Sequence, residues 1–275
     1  VCNDLIARNN GNFDKQYDYI LIDEGQDFAS SFYWLCRRLV KNDRIIWAYD
    51  ELQNILDVEP QDSKRLFENH FGDEGIDLAE LLKNHPHQSN DIILKKSYRN
   101  PKEILVSAHS LGFGIYNSRI VQMLENRKQW EDMGYVVEEG GNVGENTIIE
   151  RPLDNSPSII SKMVEKNQII SLHSFQDMQS EAEYIAEQIN DDLENKLRPE
   201  DIMVICLDDR QSRSYYDKLS FSLADKMISI NNIMNSVTGD KFSIQNQITF
   251  STVYRAKGNE AGKVYIIGAD SLRNR

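Results

Sequence analysis

The sequence predicts an α/β protein in which parallel strands are flanked by helices. Short β-rich apolar runs alternate along the chain with longer segments whose apolar residues recur at helical spacing. Two of the strand-like runs also end abruptly in acid, "YILIDEGQDF" (19–28) and "RIIWAYD" (44–50). The carboxyl edge of a parallel sheet is where open α/β folds bind their ligands, so charge collected there points to a site.

Taken in order, "YDYILI" (17–22) predicts a strand, and "SFYWLCRRLV" (31–40) a helix capped by Ser30 or Ser31. "RIIWAYD" is a second strand. "DIILKKSYRN" (91–100) predicts a third, after which Pro101 in a first turn permits a helix through about Leu111. Residues 111–165 are rich in Gly, Asn and Pro and read as a helix (120–133), a β-hairpin turning at "GGNVG" (140–144), and a connection. A second α/β unit follows: strand "QIISLH" (168–173), helix 180–196, strand "DIMVICL" (201–207), helix 211–226, and strands "QITFSTV" (247–253) and "KVYIIGAD" (263–270). The expected organisation is thus 1–110, an insert over 111–165, and 166–275. No internal repeat or low-complexity tract interrupts it.

Bulk properties narrow the function classes. The 275 residues are enough for one large or two smaller cores, and 40% hydrophobic with 27% charged residues is ordinary globular composition. Lys and Arg total 31 against 44 Asp and Glu, a net charge of −13, which argues against a histone-like nucleic-acid coat. A groove with a few well-placed phosphate contacts is compatible with that balance. The three cysteines, Cys2, Cys36 and Cys206, are widely spaced and form no CxxC pair, which favours a reducing cytosol over a zinc or disulfide framework. No apolar run approaches the ~20 residues that span a bilayer. The first residues lack the apolar core of a signal peptide, and the missing initiator methionine suggests a piece of a longer protein. The expected localisation is cytoplasmic. "HPH" (85–87) lacks a helical i, i+4 partner and reads as loop rather than metal ligand.

A strand that ends in Asp-Glu offers two carboxylates with separable tasks. One can hold magnesium, usually through water, while the next accepts a proton from an attacking water. Asp23 suits the first task and Glu24 the second. The same pattern also arises at plain strand-to-loop transitions, and that bland reading stays open for this stretch alone.

The neighbouring residues extend the pattern. "DEGQD" after its apolar run resembles the second (Walker B) motif of superfamily-one helicases of the UvrD/Rep type. "IIWAYDELQNI" (45–55) resembles the third motif, "LKKSYRNPKEI" (94–104) the fourth, and "ITFSTVYRAKGNEAGKVYIIGAD" (248–270) the fifth. Four such matches in the family's order cover most of the chain outside the 111–165 insert. The resemblance implies a RecA-like P-loop NTPase architecture in two partial lobes, with ATP and magnesium as cofactors and single-stranded DNA as partner.

Position by position, it implies that Asp23 organises magnesium and Glu24 activates the hydrolytic water, with Gln26 and Asp27 linking that site to the other motifs. Gln53 would sense the γ-phosphate, supported by Asp50. Tyr98 would stack on the adenine and Arg99 would reach the γ-phosphate. Glu260 would contact the nucleotide near Lys257 and Gly258, and Thr252 and Tyr254 would touch the strand's backbone. These types suit those tasks: a planar guanidinium matches phosphate oxygens, a glycine admits close backbone approach, and a threonine hydroxyl donates to phosphate without reading sequence. Bland readings stand beside them. Tyr98 would serve as a core aromatic, Arg99 as a surface ion-pair partner of Asp91 or Glu103, Thr252 and Tyr254 as members of a half-buried strand, and Gln26 as a helix cap.

The pattern also departs from the family. No G-x-x-x-x-G-K-[ST] loop occurs, and "GNEAGKV" (258–264) has neither the spacing nor the Ser or Thr. The family's phosphate loop lies upstream of the acidic strand end and its sixth motif beyond "SLRNR", so the chain reads as a fragment lacking both, inactive alone. After "DELQNI" the family commonly continues into aromatics that stack bases, whereas this chain runs "LDVEPQDSKRLF". Two alternatives accompany the helicase reading. One is an RNA-directed member of the same superfamily; the other is a non-catalytic nucleic-acid or protein-binding module that kept the fold.

Overall fold

The computed structural model describes residues 1–50, 62–68, 73–115, 124–234 and 241–270. It divides into two compact units, Val1–Ser171 and Leu172–Arg275. Each has its own parallel sheet, so mixed α/β architecture with helices packed on parallel strands holds in both. No described helix is long and apolar enough to cross a membrane.

The first unit opens with α1 (Cys2–Arg8) and then β1 (Ile20–Ile22), α2 (Ser30–Leu39) and β2 (Ile45–Trp47). The strands pair in parallel, Ile20 opposite Ile45, Leu21 opposite Ile46 and Ile22 opposite Trp47. Because side chains alternate along a strand, one face of this pair carries Ile20, Ile22, Ile45 and Trp47 into a core with Tyr33, Cys36 and Phe67. Phe67 is supplied by α3 (Ser63–Phe67) and meets Trp47 edge-on, ring centres 5.1 Å apart. The other face bears Leu21 and Ile46, both exposed, so among the described residues helices cover only one side. Helix α2 begins at Ser30 with Ala29 at its cap and no side-chain cap bond, unlike the expected serine cap.

Next come α4 (Leu78–Asn84) and α5 (Lys102–Phe113), the latter flanked by Pro101 before and Gly114, in the left-handed region, after. Helix α6 (Arg127–Asp132) is capped by Asn126, whose side chain accepts the Gln129 N–H, so it starts later than the expected 120–133, of which residues 120–123 lie outside the described residues. The hairpin β3 (Val136–Glu139) and β4 (Ile148–Glu150) is antiparallel, with Gly140, Gly141 and Gly144 at positive φ in its turn. Short helices α7 (Ile160–Met163) and α8 (Lys166–Ile169) complete the unit.

Two expected strands do not form. Residues 91–100 lie outside any strand, with Leu94 87% exposed. A strand exists through ladder bonds, and here the Lys95 carbonyl accepts Arg151 Nη2 and the Ser97 N–H donates to the Asn155 carbonyl instead. The expected strand 168–173 is split by the end of α8. Beyond it, His173 and Phe175 pack their rings on Tyr184 rather than joining the sheet.

The second unit comprises α9 (Met178–Glu194), β5 (Ile202–Cys206), α10 (Ser212–Ala224), β6 (Ile230–Asn232), β7 (Ile248–Thr252), α11 (Val253–Ala256) and β8 (Lys263–Ile267). Its sheet order is β6-β7-β5-β8, every neighbour parallel. Asp177 and Ser180 form a reciprocal capping box on α9. The apolar stripe of that helix, Ala182, Ile185, Ala186 and Ile189, packs with Tyr215, Leu219 and Leu223 of α10 over Ile202, Val204, Ile248 and Phe250. The near-continuous apolar run of β5 is what a central parallel strand requires.

Candidate functional site

The chain leaves β1 at Ile22 and turns sharply. Asp23 Oδ1 accepts the Glu24 N–H at 2.9 Å, and Glu24 itself sits in the left-handed region at φ 51°, ψ 42°. A non-glycine residue held there costs about 1–2 kcal/mol. Such strain persists only where surrounding bonds enforce it, and it concentrates at functional sites. A single 3-10 turn, Gly25–Asp27, follows.

Gly25 fixes the turn to the sheet. Its N–H donates to the Ala48 carbonyl at 2.8 Å, and its own carbonyl accepts the Tyr33 hydroxyl at 2.8 Å. The backbone approaches so closely that a Cβ on Gly25 would collide with the Tyr33 hydroxyl and lie 3.0 Å from the Ala48 carbonyl oxygen. Burial raises the Tyr33 hydroxyl to a pKa of about 12, assisted by the neighbouring Cys36 and Tyr49, so it stays a neutral donor.

Gln26 then spans the two strand ends. Its Nε2 donates to Glu24 Oε2 at 2.6 Å, and its Oε1 accepts the Asp50 N–H at 2.9 Å. Asp23, Glu24, Gln26 and Asp50 are therefore gathered at the carboxyl ends of β1 and β2. Asp23 is exposed, and Glu24, Gln26 and Asp27 are half-buried. Among the described residues no group of three His, Cys, Asp or Glu side chains forms a metal cage. An exposed single carboxylate suits magnesium held through water and substrate phosphates, the usual manner for that ion.

The other expected positions lie elsewhere. Gln53 falls outside the described residues. Tyr98 and Arg99 are exposed on the bend before α5, in the same unit as Asp23 but on a different segment. In the second unit Thr252 is buried as the last residue of β7, while Tyr254 is exposed on α11. Lys257, Gly258 (φ 78°) and Glu260 occupy the loop that follows, with Gly258 and Glu260 exposed.

One polar cluster was not singled out by the sequence reading. At the carboxyl end of β5, the buried Asp208 carboxylate accepts Arg210 Nε and Nη2, each at 3.0 Å, and the Arg210 N–H at 3.0 Å. The arginine's bonds hold Asp208 well below the usual carboxylate range. Nearby, Glu181 accepts the Tyr215 hydroxyl at 2.7 Å and the Gly268 N–H at 3.3 Å. The signal was available: "IMVICLDD" repeats the arrangement of an apolar run ending in acid.

Comparison with protein-family models gave no match, and comparison with curated proteins gave none either.

Proposed function

We propose that this chain belongs to an ATP-dependent DNA helicase or translocase of superfamily one, its two units serving as partial RecA-like lobes, at work in the cytoplasm. The observation that supports the reading is the turn at the end of β1. There a strained Glu24, an exposed Asp23 and the bridging Gln26 form one hydrogen-bonded constellation at a parallel sheet's carboxyl edge.

In this reading Asp23 Oδ1 is committed to the Glu24 N–H, and Oδ2, with no protein partner among the described residues, is the atom that would hold magnesium through water. The ion, when bound, neutralises charge on the phosphate oxygens. Glu24 accepts the proton of the attacking water, and Gln26 orients that carboxylate while sensing the position of Asp50, with Gln53 assigned to the γ-phosphate. Tyr98 and Arg99 contribute adenine stacking and γ-phosphate contact. Glu260, with Lys257 and Gly258, takes a further nucleotide contact, and Thr252 and Tyr254 take the single strand. The 275 residues contain no G-x-x-x-x-G-K-[ST] loop, so the chain by itself is expected to hydrolyse ATP negligibly.

The test uses the polypeptide in which these residues are joined to a phosphate-binding loop. Single-stranded DNA should stimulate its magnesium-dependent ATP hydrolysis, and competition with single-stranded RNA identifies the preferred sugar. Hydrolysis indifferent to both strands would remove the translocase reading.

A further inference from the structure

Helices α5 and α6 and the β3–β4 hairpin line a pocket of about 260 Å³. Val106, Phe113, Trp130 and Ile149 give it apolar walls. Phe113 and Trp130 meet edge-on with ring centres 5.5 Å apart and so form one continuous aromatic wall of the pocket.

The polar side of this pocket holds a buried cation without a counter-ion. Arg151 is 3% exposed. Its Nε donates to Ser156 Oγ at 2.7 Å, Nη1 to the Met133 carbonyl at 2.7 Å, and Nη2 to the carbonyls of Lys95 and Asn155 at 3.0 and 2.8 Å. All four acceptors are neutral, and no carboxylate among the described residues pairs with it. The second Nη1 hydrogen has no protein acceptor among them. Guanidinium does not release its proton in proteins, so the charge remains, and buried charges are normally matched by an opposite one.

The other lining groups do not cancel it. Lys102 also lines the pocket and pairs with the more exposed Glu150 at 3.2 Å, so two cations face one carboxylate. His109 bonds the Tyr135 hydroxyl through Nδ1 at 2.7 Å, and the Arg151 guanidinium lies over the Tyr135 ring at 5.5 Å. Burial, then Arg151, hold the imidazole below its ordinary pKa against the opposing pull of the Asp50 carboxylate, which lines no part of the pocket.

We propose that this pocket binds a small aromatic monocarboxylate, its ring against the apolar wall of Val106, Phe113, Trp130 and Ile149 and its carboxylate on the Arg151 side. The proposal does not depend on the nucleotide reading of the β1 end.

The experiment titrates the full chain with benzoate, phenylacetate and indole-3-acetate, each beside its neutral amide, while NMR follows the Trp130 indole and the His109 ring. At least one acid should give saturable shifts at both residues and bind roughly tenfold or more tightly than its amide. Arg151→Met removes four bonds and is expected to disturb the hairpin, so Val106→Trp, which fills the pocket from α5, is the discriminating variant. It should abolish the shifts while the near-ultraviolet circular dichroism stays that of a folded chain. No saturation by any acid below ~10 mM, equal binding of acids and amides, or undiminished binding by folded Val106→Trp would each overturn the proposal.

Discussion

Gln26 joins Glu24 to Asp50: one side-chain amide donates to the Glu24 carboxylate at 2.6 Å and accepts the Asp50 N–H at 2.9 Å. The ends of β1 and β2 are thereby held in register beyond the last ladder pair, Ile22 with Trp47. Gln26→Ala removes both bonds, a loss of about 1–2 kcal/mol locally. Native-state hydrogen exchange at the Asp50 amide should accelerate roughly 5- to 30-fold, while amides of the second unit stay unchanged.

Gly25→Ala tests the close approach beneath that turn. The new Cβ meets the Tyr33 hydroxyl and the Ala48 carbonyl, so the first unit should lose about 1–3 kcal/mol. Tyr33→Phe deletes the clashing hydroxyl along with its bond to the Gly25 carbonyl. The two changes should be less than additive in urea unfolding, because the second relieves what the first creates. Strict additivity would mean the turn yields in another direction.

Phe250 is wholly buried in β7 between the helices and the sheet of the second unit. Phe250→Ala should cost about 3–5 kcal/mol, read as a lower urea midpoint of that unit's transition. Among the described residues the unit rests on one apolar cluster, so a smaller loss would indicate collapse of α10 into the space.

His109 predicts a pH dependence. Burial, then Arg151, lower its folded pKa, with Asp50 opposing, below an ordinary value of 6.5. The unfolded chain therefore binds more protons between the folded pKa and 6.5, and stability rises with pH across that window. The contribution is complete above the unfolded value and falls away as the solution is acidified towards the folded one. His109→Gln should flatten the difference in urea midpoint of the first unit between pH 7 and pH 5.5, measured against the parent chain.

Much of this was legible in the sequence, for a physical reason. The strands β1, β2, β5, β7 and β8 and the helices α2, α9 and α10 are apolar runs with a clear period, and burial rewards that pattern directly. The runs at 91–100 and 168–173 look the same in composition, yet strand pairing is a property of partners. Lys95 and Ser97 bond to the Arg151–Asn155 loop, and His173 packs on Tyr184. The strand β6 was missed because "INN" is short and polar and exists through its pairing with β7. At the candidate site the carboxylates were visible, but the left-handed Glu24 and the bridging amide of Gln26 depend on how two strand ends meet.

The most direct measurement is ATP hydrolysis by the phosphate-loop-bearing polypeptide with Glu24 replaced by glutamine. If Glu24 activates the attacking water, Glu24→Gln should lower kcat by about 10²–10⁴-fold while magnesium-dependent ATP binding persists. Undiminished hydrolysis would contradict the account, because the strained carboxylate at the end of β1 would then have no part in the chemistry.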